Sequence, residues 1–124
     1  MTSQEQQLTL IIEAIAHDVN GFIGASVVDL ESGMALTSIS RRPEFDLDVA
    51  SAYNAEMVKA KSKTIKALGL TSQLEDMLLT LDDQLHLITM LSDDKFLYVA
   101  ADRQSTNLAV VRSVVNRHVQ GFQG

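Results

Sequence analysis

The sequence predicts an α+β fold, a five-stranded antiparallel sheet with helices packed on it. Three observations carry that reading. Apolar residues recur at helical spacing in three stretches, near residues 3–19, 46–68 and 105–118. Between them lie β-rich runs, two before the middle helix and three after it. Short turns rich in Asp, Ser and Gly separate those runs, the pattern of hairpins and an antiparallel meander.

In the first helix Leu8, Ile11, Ile12, Ile15 and Val19 share one face. Ser3 is its expected N-cap, and Asn20-Gly21 stops it. Phe22 to Leu30 reads as a mostly buried strand, Glu31-Ser32-Gly33 as a turn, and Met34 to Ser40 as the returning strand. Gly24 and Ala25 are small where a strand usually carries bulk, which allows close backbone approach. No Gly-rich loop with a following helix accompanies them, so a nucleotide loop is excluded.

Arg41-Arg42-Pro43-Glu44 forms a loop, and Asp46 or Asp48 caps the central helix. At 100° per residue, Leu47, Val49, Ala50, Tyr53, Met57, Val58, Ala60, Ile65 and Leu68 fall on one half of it. Asp48, Ser51, Glu56, Lys59, Ser62, Lys63 and Lys66 take most of the other, with Ala52 and Ala55 among them. A helix lying on one sheet needs an apolar stripe a little over ~100° wide. The excess width predicts two packing partners, its own sheet and a second helix, for which another copy of the chain is one source. Burial deep in a monomeric core is the alternative.

Ser72 to Leu81, Gln84 to Leu91 and Lys95 to Ala101 are the three later strands, turned at Asp82-Asp83 and Ser92-Asp93-Asp94. Ser105 is the expected cap of the last helix, which presents Leu108, Val111, Val114, Val115 and His118 on one face.

At 124 residues the chain is expected to form one domain over residues 1–124, with an aliphatic core: 46% of residues are hydrophobic, 5% aromatic, and there is no Trp. The absence of Cys excludes disulfides and thiolate metal sites. No stretch approaches the ~20 apolar residues of a membrane span, and residues 1–7 do not read as a signal peptide. A soluble cytoplasmic protein is the expectation. The net charge of −6 argues against a nucleic-acid partner. That charge is uneven, because Arg41 to Leu68 holds six basic and four acidic residues. Lys59, Lys63 and Lys66, with Arg41 and Arg42, are therefore candidate contacts for an acidic partner, set against an ordinary solvated face.

Reactive groups do not converge. There is no G-x-S-x-G elbow, no phosphate loop and no H-E-x-x-H motif. His17, His86 and His118 lie on three separate elements, and His86 is expected to face opposite to Leu85 and Leu87. The paired aspartates suit turns better than calcium ligation, and Arg41-Arg42 reads as a solubilising pair rather than an arginine finger. No catalytic residue, metal or cofactor is nominated.

The element order, the block Gly24-Ala25-Ser26-Val27-Val28-Asp29 followed by Gly33, the lysine-bearing middle helix, and the end Ala100…Asn107-Leu108…Arg112 together resemble the roadblock / dynein light chain family, over about Gln7 to His118. The resemblance implies a profilin-like sheet of strand order 2-1-5-4-3 with helices on both faces. It also implies a homodimer in which the middle helices pack side by side and the third strands pair antiparallel. Carried onto this sequence, it places Leu47, Ala50, Asn54, Met57, Lys61 and Ile65 at the twofold contact and makes Ser72 to Leu81 the paired edge, with Leu74, Asp76 and Leu78 in it. Lys61 would then reach solvent or a carboxylate such as Glu75 or Asp76. Relatives of this kind are non-enzymatic regulators or scaffolds of small Ras-like GTPases, or adaptor subunits of motor complexes. A structural adaptor without a GTPase is the alternative function; a small-molecule sensor or an enzyme fits the residues less well.

Overall fold

The structure is a computed structural model that describes residues 3–122. Its elements are α1 (Gln4–Asp18), β1 (Phe22–Asp29), β2 (Ala35–Ser40), α2 (Leu47–Ala67), β3 (Asp76–Thr80), β4 (Gln84–Ser92), β5 (Lys95–Asp102) and α3 (Leu108–Val119). The strands form one antiparallel sheet ordered β2-β1-β5-β4-β3, the order implied by the family resemblance.

Helices cover both faces. On one, α1 and α3 supply Leu8, Ile12, Ile15, Val111, Val114 and Val115 against Ala25, Val27, Leu87, Leu97, Val99 and Ala101. On the other, α2 supplies Leu47, Ala55 and Val58 against Ile23, Val28, Ile88, Phe96, Tyr98 and Ala100. β1 and β5 are buried at every position but the last because they sit mid-sheet under both layers. Burial of these aliphatic faces is the main stabilising term of the fold.

The caps show how local chemistry sets the boundaries. Ser3 and Gln6 form a reciprocal capping box at α1. Asp46 caps α2, its carboxylate accepting from the backbone of Asp48 and Val49. The expected cap at Ser105 is corrected: Asn107 caps α3, accepting from Val110 N–H at 3.0 Å. Ser105 instead turns the chain after β5, its N–H donating to the Asp102 carbonyl. The third strand is also shorter than predicted. Gly69, at φ +72°, ends α2, and residues 70–75 run to β3 without pairing until Glu75 accepts from Met90 N–H.

Gly24 fits the close approach read from the sequence. A Cβ there would stand 3.2 Å from the Ile39 carbonyl and 3.4 Å from Leu47. Gly33 holds φ +75° in the β1–β2 turn, against Ala52 of α2.

The ends of α1 and α3 are joined through Asp18. Its carboxylate accepts from His17 at 3.0 Å, from His118 at 2.6 Å and from Arg117 at 2.9 Å. These hydrogen bonds, those of His17 and His118 foremost, hold Asp18 far below its ordinary 3.8. A carboxyl lowered in the folded state stabilises it above the unfolded value, and that contribution disappears as pH falls toward the folded value. Asp18→Asn is therefore expected to lower the Tm at pH 7, with the gap to the native chain narrowing progressively as the pH falls below about 4. A gap of constant size across that range would show that the carboxylate charge is not the cause.

Candidate interaction surface

The face of α2 that meets the sheet is not the one its apolar pattern marks. Leu47, Ser51, Ala55 and Val58 are its buried residues. The pattern assigns Ser51, Ala55 and Ser62 to the solvent side; the structure corrects this, burying the first two and half-burying Ser62. Ser51 is buried because its hydroxyl finds Ser26 of β1 at 3.0 Å, so both polar groups are satisfied. Small side chains let the helix settle close to the strands, and the bulkier apolar residues are left pointing away.

Those bulkier residues make an exposed arc. Tyr53 is 75% exposed, Val49 52% and Leu68 66%. Ala60 and Ala67 are exposed beside them, and Ala50 and Met57 are half-buried along the border. Scattered exposed apolar side chains are ordinary; a contiguous stripe along one helix marks a contact surface.

Two contacts fix which way the arc points. On one flank of α2, the Lys59 ammonium donates to the Glu31 carbonyl in the β1–β2 turn at 2.9 Å. On the other, Asn54 lies against the Tyr98 hydroxyl of β5, which is also 3.1 Å from His86 Nδ1 in β4. At about 100° per residue, Val49, Tyr53 and Ala60 lie roughly opposite the buried face of α2 and point away from the sheet, whereas Ala50 and Met57, on the border of the arc, lean to the Asn54 flank and so to the β4–β3 side. Among the described residues that side ends in β3, the last strand of the sheet. The apolar border of α2 and an edge strand thus lie on one side of the molecule.

His86 faces α2, as its neighbours Leu85 and Leu87 predict. With Nε2 protonated it donates to Gln84 Oε1 at 2.8 Å and accepts from Tyr98 at Nδ1, and Phe45 packs edge-on against its ring. Burial pushes the His86 imidazole below its ordinary 6.5 and the Tyr98 phenol up to about 12, so both are neutral at pH 7. The network orders the floor beneath the arc.

The candidate dimer residues divide by environment. Leu47 is buried in the chain's own core, so little of it is left for a second chain. Ala50, Asn54, Met57, Ile65 and Leu74 are half-buried, and Lys61 is exposed. Leu78 is 39% exposed on β3. Asp76 forms a 2.9 Å ion pair with Arg112 of α3, so within the chain its carboxylate is paired with that arginine rather than with Lys61. An open cleft of about 1160 Å³ lies between this corner and the end of α2, lined by Lys66, Leu70, Leu74, Thr89 and Arg112 among others.

The candidate basic contacts do not form one patch on a single chain. Arg41 stacks over Phe22, 5.6 Å from the ring centroid, and Arg42 lies 3.7 Å from Asp102. Both sit where β1 begins. Lys59 sits where β1 has turned into β2, with Lys63 and Lys66 further along α2. The length of β1, about 25 Å at ~3.3 Å per residue, separates the two groups. Among the described residues there is no group of three or more His, Cys, Asp or Glu placed to hold a metal, and no helix long and apolar enough to cross a membrane.

No family model matches the sequence, and no curated protein matches it. Solved structures do. The fold superposes on Myxococcus xanthus MglB with TM-score 0.83 and 15% identity, over 96% of this chain and 86% of that one. The gliding protein MglB of Thermus thermophilus gives TM-score 0.81 at 15% identity, over 97% and 88%. A Roadblock/LC7 domain from Streptomyces avermitilis gives 0.78 at 15%, over 90% and 91%. At this identity the likeness is one of fold, and the fold is that of Roadblock/LC7 domains and MglB.

Proposed function

We propose that this chain is a non-enzymatic, homodimeric regulator or scaffold that binds a small Ras-like GTPase and modulates its GTP cycle. The observation that carries the reading is the half-buried border of α2, Ala50, Asn54 and Met57, on the same side as the edge strand β3, in a Roadblock/LC7 fold. A twofold partner covers both at once, with the α2 helices side by side and the β3 strands paired. The scarcity of convergent reactive groups suits a protein that acts by holding a partner rather than by chemistry of its own.

Dimerisation also resolves the divided basic residues. In an antiparallel helix pair, the start of one α2 lies beside the end of the other. Arg41 and Arg42 of one protomer then approach Lys63 and Lys66 of its partner, bringing the divided cations together at two corners of the dimer. These corners are the proposed GTPase contacts, facing carboxylates on the GTPase surface.

The direct test adds the purified protein to each small GTPase of the source cell and follows GTP turnover. A changed hydrolysis rate or nucleotide affinity with one of them is the expected result. No effect on any of them would leave the adaptor reading in its place. Lys59→Glu with Lys66→Glu, both away from the exposed arc, is expected to weaken GTPase binding about tenfold while leaving the dimer intact. Unchanged affinity would remove the lysines from the contact.

A further inference from the structure

β2 is the edge strand at the end of the sheet away from β3, and residues 32–40, which contain it, hold no charge and no proline. Edge strands are ordinarily guarded by such residues. Arg41 N–H donates to the Ile23 carbonyl at 2.8 Å. By the alternation of an antiparallel pair, Thr37 and Ile39 also turn their backbone groups toward β1, and Ser38 and Ser40 turn theirs outward. Both serines are exposed. The register shift between Val27 and Val28 makes Leu36 the extra residue of β2, so the regular part of the edge lies on its C-terminal side. Exposed apolar side chains stand beside it, Leu36 at 39% and Met34 at 68%.

The two ends of this edge carry opposite charge. Glu31, in the turn before β2, is exposed, and its backbone carbonyl, not its carboxylate, accepts from Lys59. Arg41 and Arg42 directly follow the strand. β3 has no such polarity, because Glu75-Asp76 stand at its start and Asp82-Asp83 beyond its end. We propose that β2 pairs antiparallel with β2 of a second copy of this chain, about a twofold at Ser38, with Glu31 and the two arginines selecting that partner. Ser38 and the partner's Ser38 then exchange both backbone hydrogen bonds. Arg41 and Arg42 lie beside the partner's Ala35 and the partner's Met34, within side-chain reach of the partner's Glu31. The twofold makes each attraction occur twice.

The same charges reject the other ways of covering this edge with a copy of the chain. A parallel pair sets Glu31 beside the partner's Glu31 and arginines beside arginines. Pairing with β3 of another copy sets Glu31 against an acidic strand end in either direction. The contact does not rest on the homodimer proposed above, which uses the opposite edge of the sheet. Where both form, β2 links dimers into longer assemblies. Arg41 and Arg42 are then held at the β2 contact, so assembly competes with a GTPase for them.

The chain has no cysteine, so a single one can report this contact alone. Directly opposed residues of a hydrogen-bonded antiparallel pair lie about 5.5 Å apart between Cα atoms, within disulfide range. Ser38→Cys in the full-length chain, at about 100 µM to suit a small contact, is expected to cross-link into pairs under mild oxidation. Ser113→Cys, exposed on α3, is the control and is expected to cross-link at least about tenfold more slowly. Adding Glu31→Lys to Ser38→Cys is expected to slow its cross-linking about fivefold, and adding Arg41→Glu and Arg42→Glu as well is expected to restore it. Ala60→Glu, aimed at the α2 contact, is expected to leave the rate unchanged. In the cysteine-free chain, Ser38→Pro removes an outward N–H that no strand of the sheet uses and is expected to lower the weight-average mass in sedimentation, with the circular dichroism retained. Ser38→Cys cross-linking no faster than the control, or indifferent to Glu31→Lys, would overturn the pairing while leaving the homodimer standing. A mass unchanged by Ser38→Pro would overturn it equally. Loss of cross-linking on Ala60→Glu would assign the contact to α2 and also overturn it.

Discussion

Ala60→Glu is expected to convert the proposed dimer to a monomer, raising its dissociation constant at least about a hundredfold. Ala60 is exposed in the single chain and lies mid-arc, between Met57 and Thr64 along α2. Glutamate is a good helix former there and touches nothing in the chain's own core. In the proposed dimer the twofold would put two carboxylates into one apolar contact, each desolvated without a partner. The expected result is thus an association defect without a folding defect: sedimentation reports a monomer, and far-ultraviolet circular dichroism is unchanged. If the variant still dimerises like the native chain, the second copy does not sit on α2. If it fails to fold, Ala60 belongs to the interior, contrary to its exposure.

The largest effect on folding is expected at Gly21, between α1 and β1. Its φ of +73° lies in the left-handed region, which costs a residue with a Cβ roughly 1 kcal/mol. The site is also crowded. A Cβ would stand 2.6 Å from the Cβ of Ser105 and 3.1 Å from that of Asp102. The Gly21 carbonyl accepts from Asp102 N–H at 2.8 Å, so the β1 and β5 ends cannot simply move apart. Overpacking of this kind costs about 1–3 kcal/mol more. Gly21→Ala is expected to lose about 2–4 kcal/mol in denaturant unfolding. Gly69→Ala is the control. Its φ is +72°, with nothing within 4 Å of the added Cβ, so only the backbone penalty of about 1 kcal/mol remains. Equal losses at the two positions would mean that crowding contributes nothing at Gly21.

Much of this architecture is legible in the residues because periodicity follows from burial. The α1 face of Leu8, Ile12 and Ile15 is read directly from its spacing, and the bounds of β4 and β5 fall within one or two residues of those expected. The orientation of α2 is not legible in the same way, for a physical reason. Helix–sheet contact at close range selects small side chains, and Ser51 and Ala55 carry little hydrophobic signal despite being buried. The larger apolar residues that dominate the pattern mark the outward arc instead. A sequence signal for the true inner face exists in the matching small residues of the strand block, Gly24 and Ser26, opposite Leu47 and Ser51. The α3 cap is ambiguous in sequence because Ser105 and Asn107 both suit an N-cap; Ser105 is used in the turn that packs against Gly21. The basic residues read as one segment because they are near in sequence, yet the first turns of α2 carry the chain along the sheet between Arg41-Arg42 and Lys59.

As the proposed regulator, this chain would engage a small GTPase according to its bound nucleotide. The most direct measurement uses the tagged full-length chain as bait in lysate of the source organism, once with GDP and once with a non-hydrolysable GTP analogue. The bound proteins are quantified by mass spectrometry. A small GTPase is expected to be captured in one nucleotide state well above the other, with more of it in the presence of the GTP analogue. Capture of the same proteins in equal amounts under both conditions, none of them a GTPase, would contradict it and identify the chain as an adaptor.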